Sequence, residues 1–478
     1  MDLSTFTLLV LISSFLLPFS NTSATIDGRS TLQIIIGGGG GGGGGCIGKC
    51  PPPAHPPEQP ECPPPPPPPS PPPPPPPSPP PPPPPPPPIP KPPPSPQSLP
   101  PPPPLFLNDN LKNAYFVIQR LKPKITYDPK NILKTWTSRN PCSYTGFTCA
   151  NPPDKPNDST SLTVATVDFN GFQFAGKDLT LTGFLDMLPD LGYFHANSNN
   201  FTGSLPLRIG TNQIRFLYEL DVSNNKLTGQ FPTSALAAIN LTFLDLRFNK
   251  FSGTVPPQVF LLDLDVLFLN NNRFTQNLPT NLGSTPVLYL SLANSKYTGP
   301  IPSSIGQANR TLLEVLFLNN KLSGCLPYQI GFLNLATVFD AGFNQLTGPI
   351  PKSLGCLEKM QQLNFARNLL YGAVPEVVCE LPMLKNLSLS YNYFNQVGPV
   401  CKKLIMNKVL DVRMNCILDL PRQRSAAECA WFYSKPKFCP GENSRWMRYM
   451  PCQPSKFSQA ASLGSSPSPS YSALKEHH

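Results

Sequence analysis

The stretch LYELDVSNNKLTGQFP (217–232) contains the pattern that decides the fold. Leu220 and Val222 flank Asp221, and Asn225 follows three residues after Val222. Alternation places the two apolar side chains on one face of a short strand. A buried asparagine amide can both donate to and accept from backbone groups where the chain leaves that strand. The stretch therefore predicts a strand followed by an asparagine-supported turn.

The same pattern recurs along most of the chain. Nine segments between residues 191 and 399 follow L-x-x-L-x-L-x-x-N-x-L at spacings of 23 to 26 residues. Such a period indicates stacked repeats, which bury a core together that no single repeat could bury. Ser295 replaces the asparagine once, and its shorter hydroxyl predicts a locally weaker ladder. The ladder positions are Asn199, Asn225, Asn249, Asn272, Ser295, Asn320, Asn344, Asn368 and Asn392.

This template is that of leucine-rich repeats. The segment L-T-G-x-I-P after the asparagine, as in LTGPIP (346–351), resembles the plant subfamily of such repeats. We therefore expect an α/β solenoid over residues 162–406, a right-handed superhelix with short parallel strands on its concave face. Degenerate repeats at 164–176 and 407–417 flank the array. An open solenoid exposes its core, so both ends need caps.

Cysteines are expected to close both caps. The stretch LKTWTSRNPCSYTGFTC (133–149) resembles the N-terminal cap of plant leucine-rich repeat proteins, with Tyr144 where Trp is commoner. This resemblance implies a Cys142–Cys149 bridge in a cap at 105–161. A cysteine-rich segment at 407–452 predicts the second cap, but the sequence leaves its connectivity open, with Cys379 and Cys401 as a candidate local pair. The C-terminal cysteines are Cys325, Cys356, Cys379, Cys401, Cys416, Cys429, Cys439 and Cys452.

Low-complexity sequence precedes the repeats. Residues 1–24 carry an apolar core of the length of a secretory signal, too short to span a bilayer. Residues 25–50 include a run of nine glycines, which predicts a flexible segment. Residues 51–104 hold 40 prolines in 54 residues, which predicts a disordered, stiff polyproline II arm. A Ser-rich disordered tail is expected at 453–478.

Several features favour a secreted protein. The chain contains thirteen cysteines, which fits an oxidising compartment, and no later stretch is apolar enough to cross a membrane. The net charge of +10 favours polyanions such as acidic wall polysaccharides as partners. Nucleic acid is a poorer partner, because no basic cluster is interleaved with aromatic residues. Glycosylation sequons occur at Asn157, Asn200, Asn240, Asn309 and Asn386.

The cysteine count leaves one thiol over. Ten cysteines lie in residues 105–452, and three more, Cys46, Cys50 and Cys62, lie before them. Three cysteines cannot all pair with one another, so the remaining one either forms an intermolecular disulfide or carries a small molecule that caps its thiol.

The arm and the repeats together resemble the leucine-rich repeat extensins of plant cell walls. Ser70 and Ser78 begin proline runs similar to the extensin motif, and AYFVIQRLKPKITYDPKNILKTW (114–136) and RQRSAAEC (422–429) are similar to the folded part of that family. The resemblance implies hydroxylated and arabinosylated prolines, insolubilisation in the wall, and binding of secreted peptides, notably the rapid alkalinisation factors. In this chain, however, the arm precedes the repeats, and residues 46–104 contain no tyrosine for Tyr-x-Tyr cross-linking.

A ligand is expected on the concave face, at the positions around L-x-L. These positions face solvent by alternation, so aromatic, arginine and large apolar residues there in adjacent repeats favour an interface, although isolated surface aromatics are also normal. The aspartates inside L-x-L, which begin with Asp168, either attract a basic peptide or belong to a solvated strand face. The candidates are Tyr218, Asp221, Asp245, Arg247, Phe248, Phe268, Tyr289, Leu316, Asp340, Phe343, Arg367 and Tyr391.

Catalysis is not expected. None of the four histidines has a nucleophile or carboxylate partner by motif, and no cysteine spacing backed by histidines predicts a zinc site. No cofactor is predicted. We therefore expect an extracellular, wall-associated protein that binds a peptide. A structural wall glycoprotein with inert repeats and an inhibitor of polygalacturonase-type enzymes are the alternatives.

Overall fold

The structure is a computed structural model of the 478-residue chain. It describes residues 106–206 and 214–436, together with Cys439, Met450 and Cys452. The expectations for the signal peptide, the Gly-rich segment, the proline-rich arm and the Ser-rich tail fall outside these residues and stay predictions.

Short strands recur in every repeat of the described chain. Most strands of the large sheet are three residues long, because the extended segment begins one residue before L-x-L and ends at its x position. The strands are β1 (Phe147–Ala150), β2 (Thr163–Asp168), β3 (Tyr193–His195), β4 (Glu219–Asp221), β5 (Phe243–Asp245), β6 (Ser252–Gly253), β7 (Val266–Phe268), β8 (Arg273–Phe274), β9 (Tyr289–Ser291), β10 (Thr298–Gly299), β11 (Glu314–Leu316), β12 (Lys321–Cys325), β13 (Val338–Asp340), β14 (Gln345–Gly348), β15 (Gln362–Asn364), β16 (Leu369–Ala373), β17 (Asn386–Ser388), β18 (Tyr393–Gln396) and β19 (Leu410–Asp411).

One large sheet contains a strand from each repeat, in the order β1-β2-β3-β4-β5-β7-β9-β11-β13-β15-β17-β19. Strand β1 is antiparallel to β2, and the later pairs are parallel. The register places the same repeat position side by side, as with Asp221 opposite Asp245. This sheet confirms the predicted leucine-rich repeat solenoid.

Two smaller sheets lie on the lateral side of the solenoid, after the turn that ends each large-sheet strand. One has the order β10-β12-β14-β16-β18, and the other pairs β6 with β8. They are built by the L-T-G-x-I-P part of the repeat, whose alternate residues, such as Leu227 and Phe251, are fully buried. Each repeat therefore presents two surfaces, one on the large sheet and one on this lateral side.

Short helices return the chain from the lateral strands to the next large-sheet strand. The α-helices are α1 (Asp109–Leu121), α2 (Glu376–Cys379), α3 (Pro399–Met406) and α4 (Ala426–Ser434). The 3₁₀ helices are Lys122–Lys124, Ile132–Thr135, Pro141–Ser143, Ser159–Ser161, Leu185–Met187, Thr233–Ala237, Pro257–Leu261, Leu282–Ser284, Ser303–Ala308, Tyr328–Phe332 and Lys352–Cys356.

The asparagine ladder links each repeat to the one before it. The side-chain oxygen of Asn249 accepts a bond from the Leu227 N–H (3.0 Å), and its Nδ2 donates to the Val222 carbonyl (2.8 Å). Asn415 makes the same bonds and extends the ladder one repeat beyond those predicted. The other members with this geometry are Asn199, Asn225, Asn272, Asn320, Asn344, Asn368 and Asn392.

The residue before each ladder position adopts a left-handed backbone. At Phe248, for example, φ is 52°, a conformation that costs a residue with a Cβ about 1–2 kcal/mol. The ladder bonds on either side hold the turn in this shape, so the cost recurs in every repeat. The left-handed residues of this column are Ser198, Asn224, Phe248, Asn271, Asn294, Asn319, Phe343, Arg367, Tyr391 and Met414.

The repeat that contains Ser295 is the weak point of the ladder. Its Oγ is buried and has no hydrogen-bond partner among the described residues. The hydroxyl of Tyr297, two residues on, is equally buried and unpaired there, and burial raises its pKa above the usual range. Each unpaired buried polar group costs about 1–3 kcal/mol, so two adjacent ones should lower the stability of this repeat.

The N-terminal cap is organised around Trp136, which is fully buried. Its Nε1 donates to the Thr145 carbonyl (3.0 Å), and its ring lies 5.2 Å from Phe147 and 5.7 Å from Phe169. Cys142 and Cys149 form a disulfide beside it. The aromatic cluster covers the open end of the first repeat.

Disulfides hold the C-terminal part to the repeats. Two are local, Cys379–Cys401 and Cys416–Cys429. The other two, Cys325–Cys439 and Cys356–Cys452, span 114 and 96 residues of sequence. Residues of the predicted C-terminal cap are thus bonded back to the repeats, a connectivity that the sequence left open.

Completing the ladder should stabilise the protein. We expect Ser295→Asn to raise the free energy of unfolding by about 1 kcal/mol, because the amide supplies bonds that the hydroxyl does not make. The matched change Asn320→Ser should lower it by about 1–3 kcal/mol, because it leaves backbone groups unpaired. Urea denaturation followed by circular dichroism measures both. A lower midpoint for Ser295→Asn would contradict the assignment of this repeat as a defect.

Candidate functional site

The position inside L-x-L forms a continuous column across the large sheet. Asp168, His195, Asp221 and Asp245 lie side by side on β2, β3, β4 and β5. Asp340 lies four strands beyond Asp245, after Phe268, Ser291 and Leu316. The structure therefore brings together three of the four aspartates predicted in this column, with a histidine between two of them.

The prediction that these positions face solvent is wrong for five of the candidates. Asp245 and Asp340 are 0% exposed and Leu316 is 1% exposed. Asp221 and Arg247 are buried as well. The alternation rule considers one strand at a time. It does not account for burial by side chains of the neighbouring strands, which lie only about 4.8 Å away.

The buried aspartates support the turn that follows them. Oδ1 of Asp221 accepts a bond from the N–H of Ser223 (2.9 Å), and Asp245 accepts one from Arg247 (3.0 Å). Oδ1 of Asp340 likewise accepts a bond from the N–H of Gly342, two residues later (2.9 Å). Asparagine and aspartate commonly stabilise turns in this way, so part of the predicted acidic column is structural.

His195 has a carboxylate partner that no motif indicated. Its Nε2 lies 2.8 Å from Oε2 of Glu219, on the neighbouring strand. Burial opposes the charged imidazolium, but the bond to Glu219 and the nearby carboxylates of Asp221 and Asp168 outweigh it and raise the pKa of His195. No sequence motif predicts this pair, because its two residues are 24 positions apart in sequence and meet only through strand stacking.

Asp245 and Arg247 form a buried ion pair, with Nε 2.8 Å from Oδ2. The guanidinium also lies 5.1 Å from the centre of the Phe268 ring. Burial raises the pKa of Asp245 to about 7; Arg247 opposes the rise, and the Asp221 carboxylate adds to it. This acidic cluster, Asp168, His195, Glu219, Asp221 and Asp245, is therefore sensitive to pH.

An aromatic strip lies beside the acidic cluster. Phe243 and Phe268 meet edge to face at 6.5 Å, and Tyr193 and Tyr218 stack at 5.9 Å. These side chains and Tyr289 are partly exposed. Tyr193 and Phe243 were not among the predicted residues, although both occupy the position directly before L-x-L, as the predicted residue Tyr289 does. The aromatic strip comprises Tyr193, Tyr218, Phe243, Phe268 and Tyr289.

Four candidates lie beyond the ends of the strands, in the left-handed turn column. Three of them form a stack: the guanidinium of Arg367 lies 4.0 Å from the Tyr391 ring centre and 4.9 Å from that of Phe343. Phe248, the fourth, lies in the same column nearer the N-terminus. Most of the predicted residues therefore divide among an acidic cluster, an aromatic strip and this edge stack. Arg247, Phe248, Leu316 and Asp340 lie outside these three groups.

The sequons are distributed over several surfaces. Asn157 is exposed. Asn386 lies in β17 on the large sheet, where it accepts a bond from the Ser388 hydroxyl (3.0 Å). A glycan there would occupy the C-terminal end of the concave face. The remaining sequons, Asn200, Asn240 and Asn309, are partly buried.

A cavity of about 560 Å³ lies elsewhere, beside the Cys356–Cys452 disulfide and Asn309. It is lined mostly by the loops that follow the 3₁₀ helices, together with Phe332 and Cys356 at the ends of two of those helices, rather than by the strands. Over the described ranges, no helix is long and apolar enough to cross a membrane. Those ranges also contain no group of three or more histidine, cysteine, aspartate or glutamate residues arranged so that it could hold a metal ion.

Parallel strands, an asparagine ladder and lateral L-T-G-x-I-P strands define a plant-type leucine-rich repeat protein. The Leucine Rich Repeat family model matches residues 216–235 and 240–262. The Arabidopsis receptor kinase HAESA ectodomain, solved with an N-terminally extended IDA peptide hormone, superimposes with a TM-score of 0.50. That match is 24% identical and covers 64% of this chain and 54% of the ectodomain, and it shows the fold alone.

Sequence relatives identify the family. The chain is 43% identical over 353 residues to leucine-rich repeat extensin-like protein 6 of Arabidopsis thaliana, a match that covers 70% of this chain and 68% of that protein. It belongs to the leucine-rich repeat extensin-like proteins. It is 42% identical over 335 residues to pollen-specific leucine-rich repeat extensin-like protein 3 of the same plant, but covers 45% of that relative and 70% of itself.

The acidic cluster should make stability depend on pH. Because the pKa of Asp245 is raised from 3.8 to about 7, the folded state binds more protons than the unfolded state between these values, and stability falls as pH rises through them. The raised pKa of His195 acts in the same direction, and its contribution is lost as pH rises through a value above 6.5. We expect the melting temperature to fall between about pH 5 and pH 8.

Calorimetry at constant ionic strength checks this expectation. The double variant Asp245→Asn, His195→Gln should show a shallower fall than the unchanged protein. Asp419→Asn, at an exposed position outside the cluster, serves as the control and should keep the full pH dependence. An unaltered slope in the double variant would show that other groups cause it.

Proposed function

We propose that this protein binds a secreted peptide, of the rapid alkalinisation factor type, on its concave face, and that the proline-rich arm at 51–104 links the complex to the cell wall. Binding rather than catalysis is the proposed activity. The observation that carries the proposal is the aromatic strip, which continues across neighbouring strands directly beside the acidic cluster.

The aromatic strip has the properties of an anchoring surface. Four of its five side chains are held in two ring pairs before any ligand arrives, so ordering them on binding costs little side-chain entropy. Tyrosine and arginine dominate the binding energy of many interfaces, and Arg247 lies against Phe268 in this strip. A peptide laid across the strands would meet several rings in succession.

The acidic cluster suits a basic peptide. Asp245 is fully buried, so most of the accessible charge comes from Asp168, which is exposed, while Glu219 and Asp221 are each 8% exposed. A lysine or arginine of the ligand would meet carboxylates already desolvated by neighbouring strands, where electrostatic complementarity favours specificity and fast association. Because His195 pairs with Glu219, protonation of the imidazole would weaken this attraction.

Attachment to the wall is supported by composition and by family membership. The extensin-like relatives share the repeats, and this chain carries a proline-rich arm of its own. The ten cysteines of residues 142–452 are paired in five disulfides, which fits an oxidising, extracellular location. Cys46, Cys50 and Cys62 are therefore the cysteines left for a bond to another molecule.

Peptide binding is tested with the full chain and a rapid alkalinisation factor peptide in isothermal titration calorimetry. We expect Phe268→Ala and Tyr289→Ala each to weaken binding about thirtyfold, the effect of losing a buried aromatic anchor. Leu418→Ala removes a side chain that is 94% exposed in the C-terminal region and should leave affinity unchanged. Asp221→Asn measures the contribution of the acidic cluster.

Two outcomes would contradict the proposal. Absence of binding to alkalinisation-factor peptides would leave the structural glycoprotein as the better function. Inhibition of a polygalacturonase by the full chain, lost in the Phe268→Ala variant, would assign the same strip to an enzyme inhibitor.

The unpaired thiol predicts a covalent partner. We expect the secreted protein to migrate as a disulfide-linked dimer in non-reducing electrophoresis and as a monomer after reduction. The triple variant Cys46→Ser, Cys50→Ser, Cys62→Ser should be monomeric in both lanes. A monomer in both lanes for the unchanged protein would instead indicate a thiol capped by a small molecule.

A further inference from the structure

Five successive repeats carry a basic residue at one position, directly after the ladder residue. All five side chains are exposed, while the residue that follows each of them, such as Leu227, is fully buried in the core. One repeat earlier the position holds Asn200, and one repeat later it holds Gln345. We call this column the basic ridge: Lys226, Lys250, Arg273, Lys296 and Lys321.

The backbone fixes the order of the ridge. The N–H of Arg273 donates to the Phe251 carbonyl (2.7 Å), and that of Lys296 to the Phe274 carbonyl (2.9 Å). The same bond joins Lys321 to the preceding repeat (2.8 Å). Neighbouring strands lie about 4.8 Å apart, so a molecule that touches all five residues must span at least about 19 Å. Only an extended ligand meets that condition.

The ridge carries uncompensated charge. None of its five residues forms an ion pair with any residue that the structure describes. Residues 266–313 contain no aspartate or glutamate at all. The acidic residues that bound this interval, Asp265 and Glu314, lie directly before β7 and within β11, on the large sheet. Such a single-sign surface concentrates anions around it.

Hydroxyl groups accompany the cations. Two residues after each ridge residue, on the same side of the lateral strand, stands a serine or threonine: Thr228, Ser252, Thr275, Thr298 and Ser323. The register places Ser252 opposite Arg273 and Thr298 opposite Lys321. The lateral face therefore offers alternating cations and hydroxyls, a pattern that suits a ligand with both carboxylates and hydroxyls in every unit.

We propose that the basic ridge binds a linear acidic polysaccharide, a polyuronate chain laid along the lateral strands. Its carboxylates would meet the cations, and its hydroxyls would meet the serine and threonine column. An acidic peptide would satisfy the charges but not the hydroxyl column. This inference does not depend on peptide binding, because the ridge lies on the lateral strands and the aromatic strip on the large sheet.

Biolayer interferometry of the full chain on immobilised, unesterified polygalacturonate tests the ridge. We expect the triple variant Lys250→Gln, Arg273→Gln, Lys296→Gln to bind about tenfold more weakly, because each exposed ion pair contributes little alone but three act together. The matched variant Lys134→Gln, Lys385→Gln, Lys402→Gln removes three charges at exposed positions outside the ridge. It should bind within about twofold of the unchanged protein.

Further binding measurements identify the chemistry of the ligand. Methyl-esterified polygalacturonate should bind weakly, since its carboxylates are neutral, and added salt should weaken binding to the acid form. Equal losses in the two triple variants would show that only net charge matters and would overturn the proposal. Equally tight binding to polyglutamate or to phosphatidylserine vesicles would overturn the choice of a polysaccharide. Peptide affinity of the ridge variant is measured in parallel and should be unchanged.

Discussion

The asparagine ladder is the constraint on which the rest of the molecule depends. Each amide satisfies an N–H of the preceding repeat and carbonyls of two repeats, as Asn249 does with Leu227 and Val222. Without those bonds the left-handed turn beside it would have no reason to form, since it is strained for most residues. Because the turn decides where the chain leaves the large sheet, the ladder sets the position of every surface residue that follows.

That geometry places acidic and basic side chains on different surfaces of the same repeat. Residues inside L-x-L lie on the large sheet, where Asp168, Asp221 and Asp245 gather around His195. Residues after the ladder lie on the lateral strands, where lysine and arginine recur. A single 24-residue template thus keeps acidic and basic side chains apart across several repeats, although the chain as a whole is simply basic. Two separate surfaces can then serve the proposed basic ligand and the proposed acidic one at the same time.

The sequence predicted the fold well because the repeat is local. Period, strand position and ladder residues all follow from spacing, and the structure added only Asn415 to the ladder. Side-chain exposure was harder to predict, because cover by neighbouring strands depends on residues 24 positions away. Leu316 and Asp245 were expected on the surface for this reason. The basic ridge is one column of equivalent repeat positions and follows from aligning the repeats. The His195–Glu219 pair joins two different columns, since His195 is in register with Asp221, and needs the three-dimensional structure.

The disulfide topology also determines how the domain carries mechanical load. Tension entering from the arm meets residues 106–141 first, and these contain no cysteine. The first covalent link on that path, Cys142–Cys149, closes a loop inside the cap and does not tie the cap to the repeats. Helix α1 would therefore peel away under force while the repeats keep their shape, especially those held by Cys325–Cys439 and Cys356–Cys452. With the arm attached to the wall as proposed, such a cap would yield before either proposed binding surface is distorted.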